Sequence, residues 1–111
     1  MSKKQETIFK ERIYPELKAL PFTWVVKVQQ VTKRGTPDFI LCVAGVFCAI
    51  ELKKSSKEAP DALQEYNLDL IGKCGGLSIV MYPENEVKVI AYLKRFAAHA
   101  AKDKTKKERI Q

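Results

Sequence analysis

Two apolar, β-prone runs separated by a two-residue step dominate what this chain can fold into. Asp38–Val43 and Val46–Leu52 are separated only by Ala44-Gly45, and Phe39 to Leu52 is the longest apolar stretch in the sequence. Such a pair reads as a hairpin, because a two-residue connection reverses the chain between antiparallel strands. With Ala44 and Gly45 as the turn, Val43 faces Val46. Counting outward along both strands then sets Asp38 opposite Glu51. Directly opposed residues share one face of a sheet, with Cβ atoms about 4.5–5.5 Å apart. Lys53, two residues beyond Glu51, falls on that face as well. A slip of one residue would undo the arrangement.

Adjacent carboxylates repel unless a cation lies between them or one of them takes a proton. Oxygen donors without thiols or imidazoles suit Mg²⁺ or Mn²⁺, and Mg²⁺ keeps several waters when only one or two carboxylates hold it. A water acidified in this way and oriented by Lys53 is a nucleophile for a phosphodiester. The plainer alternative is a Pro-Asp strand opener beside a Glu-x-Lys surface pattern. Against it, these charges punctuate strands that are otherwise almost wholly apolar, where solvated charge is least expected. The chain has one histidine, His99, and three cysteines, Cys42, Cys48 and Cys74, with no Cys-x-x-Cys spacing. This disfavours zinc and histidine-based nucleophilic schemes, and the cysteines read as buried free thiols.

The 111 residues carry a net charge of +7. Basic side chains gather along the first segment, at Lys33-Arg34, at Lys53, Lys54 and Lys57, and in the tail after Lys102. Separate basic clusters suit a polyphosphate partner, since each neutralised phosphate releases a condensed counterion. The length predicts one domain over 1–101 and a basic tail over 102–111 that either binds backbone phosphate or stays unstructured. No run reaches a membrane span and no secretory leader opens the chain, so no membrane partner is expected and a cytoplasmic setting is the default.

Periodicity predicts a first helix over 3–20, with Phe9, Ile13, Leu17 and Leu20 inward, Ser2 as N-cap and Pro15 either kinking or dividing it. A strand follows over Trp24–Val31, where Phe22 and Trp24 read as core in preference to base-stacking residues. After the hairpin come a polar loop and a helix from Asp61 to Lys73, with Leu63, Tyr66, Leu70 and Ile71 inward. Asp61 caps it and Gly75-Gly76 stops it. Leu77–Tyr82 reads as a central strand and Val87–Ala101 as a last helix. The order α-β-β-β-α-β-α implies an α/β fold with a mixed sheet flanked by helices.

Gly35-Thr36-Pro37-Asp38, Ala49-Ile50-Glu51-Leu52-Lys53, Gln64 and Gly75-Gly76 resemble the PD-(D/E)xK nuclease superfamily. Within it they resemble the small stand-alone VRR-NUC (virus-type replication-repair nuclease) proteins of phages and bacteria, over about Glu6 to Pro83. The resemblance implies a restriction-endonuclease-like αβββαβ core, here with an added C-terminal helix. It further implies a Mg²⁺- or Mn²⁺-dependent DNA endonuclease, structure-selective on branched DNA such as a Holliday junction or flap, acting as a homodimer. Asp38 and Glu51 would be metal ligands with the Leu52 carbonyl, Lys53 would position the water, and Gln64 would line the site. A first-helix acid would stand near the metal: Glu6 fits the family spacing, with Glu11 as the competing choice. Relatives often carry Gln four residues after that acid, where this chain has Lys10. The alternatives are a restriction-like nuclease, for which so short a chain leaves little room for base-reading loops, and a non-catalytic nucleic-acid-binding module on the same fold.

Overall fold

The computed structural model describes residues 3–29, 33–100 and 110–111. The Ser2 cap, the end of the expected first strand beyond Gln29, and the tail over 102–109 lie outside the described residues. The elements are α1 (Lys3–Lys18), β1 (Thr23–Lys27), β2 (Phe39–Val43), β3 (Val46–Leu52), α2 (Ala62–Lys73), β4 (Leu77–Met81), a short 3₁₀ turn at Pro83–Asn85, and α3 (Glu86–Ala100). The strands form one mixed sheet in the order β1-β2-β3-β4, antiparallel except for the parallel pair β3-β4. This is the α/β architecture that the element order implied. A parallel neighbour for β3 requires a crossover, and α2 supplies it.

The hairpin has the register deduced from its turn. Val43 pairs with Val46 and Phe39 with Ile50, so Asp38 follows one step past the last pair, toward Glu51. Ala44 and Gly45 have φ of 48° and 90°, the two positive values a tight hairpin turn with the twist of its strands requires. Period two then divides the strands cleanly. Phe39, Leu41 and Val43 of β2, with Cys48, Ile50 and Leu52 of β3, are buried in one layer. They pack there with Phe9, Ile13 and Leu17 of α1, Met81 of β4, and Ile90, Leu93 and Ala97 of α3. Arg12 ties α1 to α3 through both oxygens of Glu86, each at 2.6 Å.

Several expectations are corrected. Pro15 does not divide the first helix, which runs unbroken to Lys18; Pro15 and Glu11 are exposed, so the carbonyl deprived of its donor lies on the solvent side. Strand β1 stops at Lys27. Trp24 and Phe22 are not core: they are 64% and 68% exposed, because Trp24 pairs with Cys42 in a row continued by Phe47 on the opposite side of the sheet from α1 and α3. For the same reason Cys42 is exposed, as is Cys74 at the end of α2; all three thiols are free but only Cys48 is buried. Burial, aided by Cys42 nearby, pushes the Cys48 thiol up to about 11. In α2 the residues that turn inward are Asn67 and Leu68, while Leu63, Tyr66 and Leu70 are exposed. Among the described residues, no helix is long and apolar enough to cross a membrane.

Candidate active site

The end of the β2-β3 hairpin opposite its turn gathers the charged side chains. Asp38 is fixed from three sides. Its carbonyl accepts from Val28 N at 2.9 Å, which extends the β1-β2 contact past the strand. Its Oδ2 accepts from Leu52 N at 2.8 Å, and its Oδ1 lies 2.8 Å from Lys10 Nζ on α1. Bonding to the β3 backbone locks the carboxylate over the end of that strand.

Glu51 is 4% exposed. Burial first, and then the neighbouring Asp38 carboxylate, push its carboxyl up to about 8 against the opposing pull of Lys53. The two residues that the register set face to face therefore do interact. Lys53 Nζ stands 3.5 Å from Glu51 Oε2 and donates to Gln64 Oε1 at 2.8 Å. Lys53 N donates to Met81 O at 2.8 Å, continuing the β3-β4 ladder.

Gln64 has a second task. Its Oε1 also accepts from Asp61 N at 2.9 Å, while its own N donates to Asp61 Oδ1 at 2.8 Å. This capping box satisfies donors at the start of α2 that the helix itself cannot. One amide thus couples the helix start to the ammonium group. Glu6, one turn before Lys10 on α1, reaches Lys10 Nζ at 3.8 Å. The result is two ion-paired groups, Glu6–Lys10–Asp38 and Glu51–Lys53 with the neutral Gln64 amide, that meet where Asp38 faces Glu51. Glu11 makes no contact with these groups among the interactions of the described residues.

Asn67 is a positioning residue that sequence reasoning missed. Its Nδ2 donates to the carbonyls of Arg34, Gly35 and Leu63 at 3.3, 3.1 and 3.1 Å, holding the loop that delivers Pro37 and Asp38. Gly35 permits the approach: its φ is 79°, and a Cβ there would stand 2.8 Å from both Asn67 Nδ2 and Leu63 Cγ. The available signal was spacing, since Asn67 follows Gln64 by three residues on one helix face. Glu58 is a second unforeseen neighbour, 4.0 Å from Lys53 Nζ.

The donor set fits a hard divalent ion that keeps most of its waters. Two adjacent carboxylates, one of them desolvated and held from ionising by the other, gain from a cation beside them. Among the described residues no group of three or more His, Cys, Asp or Glu side chains gathers to hold a metal; Lys10 lies between Glu6 and Asp38 instead. An apolar groove of about 440 Å³, lined by Pro37, Ile40, Phe47, Leu70 and Ile71 among others, lies along α2 away from the carboxylates. Gln5, Ile8, Arg12, Lys54 and Ser55 border a more polar cleft of about 420 Å³ between α1 and the loop after β3.

No family model matches the chain, and no curated protein matches it. Among solved structures, one described as a VRR_NUC domain superposes with a TM-score of 0.59, at 25% sequence identity, over 80% of this chain and 92% of that chain.

Proposed function

We propose that this chain, a nuclease-type domain with the VRR-NUC fold of the PD-(D/E)xK superfamily, is a Mg²⁺- or Mn²⁺-dependent endonuclease that hydrolyses phosphodiester bonds in DNA. The observation that carries this reading is the meeting of Asp38, Glu51 and Lys53 at one end of the hairpin, with Gln64 holding the lysine. Asp38, Glu51 and the Leu52 carbonyl would hold the ion, while Glu6, expected as a further ligand, contacts Lys10 instead. When bound, the ion supplies Lewis acidity to a water and to the phosphate oxygens. Lys53 orients the attacking water and offsets negative charge developing on the phosphate. Gln64 removes the freedom that would let that ammonium swing away. Lys54, directly after Lys53 and more than half exposed, would add a phosphate contact beside the site.

The finer reading is selectivity for branched DNA by a homodimer. Paired incisions across a symmetric junction need two sites related by a twofold axis. Helix α3 offers one surface for such a dimer: Tyr92 and Phe96 stack at 6.3 Å with Tyr92 exposed. The outer sheet face with Trp24 and Phe47 adds a second surface.

Labelled junction, flap, nicked, duplex and single-stranded substrates, incubated with Mg²⁺ or Mn²⁺ beside an EDTA control, test the whole reading. Cleavage that requires the metal, favours branched substrates, and vanishes in Asp38→Ala and Glu51→Ala while DNA binding persists is the expected result. Lys53→Ala should lower the rate by about 100-fold or more and leave Mn²⁺ affinity nearly unchanged. A non-catalytic DNA-binding module is the second reading, favoured by Lys10 standing against Asp38. Binding without metal-dependent cleavage would select it.

A further inference from the structure

Among the described residues, Lys10 is the basic side chain of α1 that reaches across onto the carboxylates. Its ammonium lies 2.8 Å from Asp38 Oδ1 and 3.8 Å from Glu6 Oε1. The Asp38 and Lys10 side chains are 11% and 25% exposed, so this pair is shielded from solvent screening much better than a surface bridge. Asp38 Oδ1 is taken by the Lys10 ammonium, whereas Oδ2 accepts one neutral amide bond from Leu52 N and keeps a lone pair for an ion. An ammonium in such contact with two carboxylates does electrostatically what an ion bridging them would do.

Charge counting gives the same result. With every group ionised, as ligation requires, Glu6, Asp38, Glu51 and Glu58 set four carboxylates against the ammonium groups of Lys10, Lys53 and Lys54, leaving one net negative charge. One divalent ion and one phosphodiester bring that sum to zero. A second divalent ion on the Glu6 side would meet the Lys10 ammonium already hydrogen-bonded to Asp38 Oδ1, so that two cations would repel each other at one carboxylate oxygen.

We propose that Lys10 is a tethered cation occupying the place of a second metal, so that each chain takes a single divalent ion, on the Glu51 side of Asp38. The inference rests on the metal-dependent reading above and deepens it. Lys10 acts through Asp38 and Glu6, as a positioning residue.

The test counts bound Mn²⁺ on the full chain without DNA, from the loss of the free-ion electron paramagnetic resonance signal. The wild type should bind one ion per chain. Lys10→Gln, which removes the charge but keeps a polar side chain, should bind two, and Lys10→Arg should restore one. Thermal melts of each variant establish that the folded protein is being counted; if Lys10→Gln does not fold, Lys10→Met takes its place with the same expectation. Two ions on the wild type, or one on a folded charge-removed variant, would overturn the assignment of Lys10 while leaving a metal-dependent enzyme. No Mn²⁺ on any variant would overturn the metal-dependent reading itself.

Discussion

Glu51 is the residue whose environment most clearly departs from that of an ordinary carboxyl. Burial and Asp38 raise it to about 8 in the folded chain, against a usual value of 4.5. Between those values the folded state binds a proton that the unfolded state has released, so stability falls as pH rises. In EDTA, urea midpoints should therefore decline from about pH 5 to pH 8, and Glu51→Gln should flatten most of that slope. Divalent cation should oppose the decline, because it binds the ionised form. Lys10 experiences the same cluster from the other side: burial acts to lower it, but Asp38, Glu6 and Glu51 together outweigh burial and raise it. Asn67 carries a different prediction. Asn67→Leu strips the shared donor from three carbonyls, which should cost about 1–3 kcal/mol in denaturant melts. Because Gly35 and Arg34 lead into Asp38, the cleavage rate at saturating metal should fall as well.

At the scale of elements, the hairpin contains its own weak point. Ala44 adopts φ of 48°, a left-handed conformation that costs an ordinary L-residue about 1–2 kcal/mol. Ala44→Asn keeps the Ala44 N bond to Phe22 O, at 2.7 Å, and suits the turn better. Thermal melts should show a gain of about 1 kcal/mol, or about 4–8 °C in a domain near this size. This hairpin was also the most legible part of the sequence. Its turn and its period of two leave one register, and that register brings Asp38 to Glu51. Helix α2 was legible at its ends, where Asp61 caps it and Gly75 turns out of it with φ of 91°, but its inner face was misread. Gln64 and Asn67 point inward for the lysine and the loop, so the apolar periodicity that marks a buried face is broken where the site needs polar groups. Trp24, Cys42 and Phe47 were misread for the converse reason. Strands flanked by apolar residues look buried on both faces, and nothing local to β1 or β2 reports that α2 crosses to β4 and leaves them uncovered.

Over the whole molecule, the net charge of +7 draws on basic side chains of α1, of the 33–34 loop, of the segment after β3 and of the sequence from Lys102 to Arg109. DNA affinity should therefore fall steeply with salt, as several phosphates release counterions together; fluorescence anisotropy between about 50 and 200 mM salt measures the slope. Sedimentation at micromolar concentration decides between a single chain and the proposed homodimer. The open outer sheet face offers a way to observe both events. Trp24 is the single tryptophan, and it projects from that face into water. All indole emission from this protein thus originates at one address, at long wavelength and within reach of a soluble quencher. A second chain or a nucleic acid laid over β1 and β2 would shift that emission to the blue and protect it. Metal bound between Asp38 and Glu51, at the far end of the hairpin, would leave it unchanged. The unlabelled chain is its own optical gauge of what covers this surface.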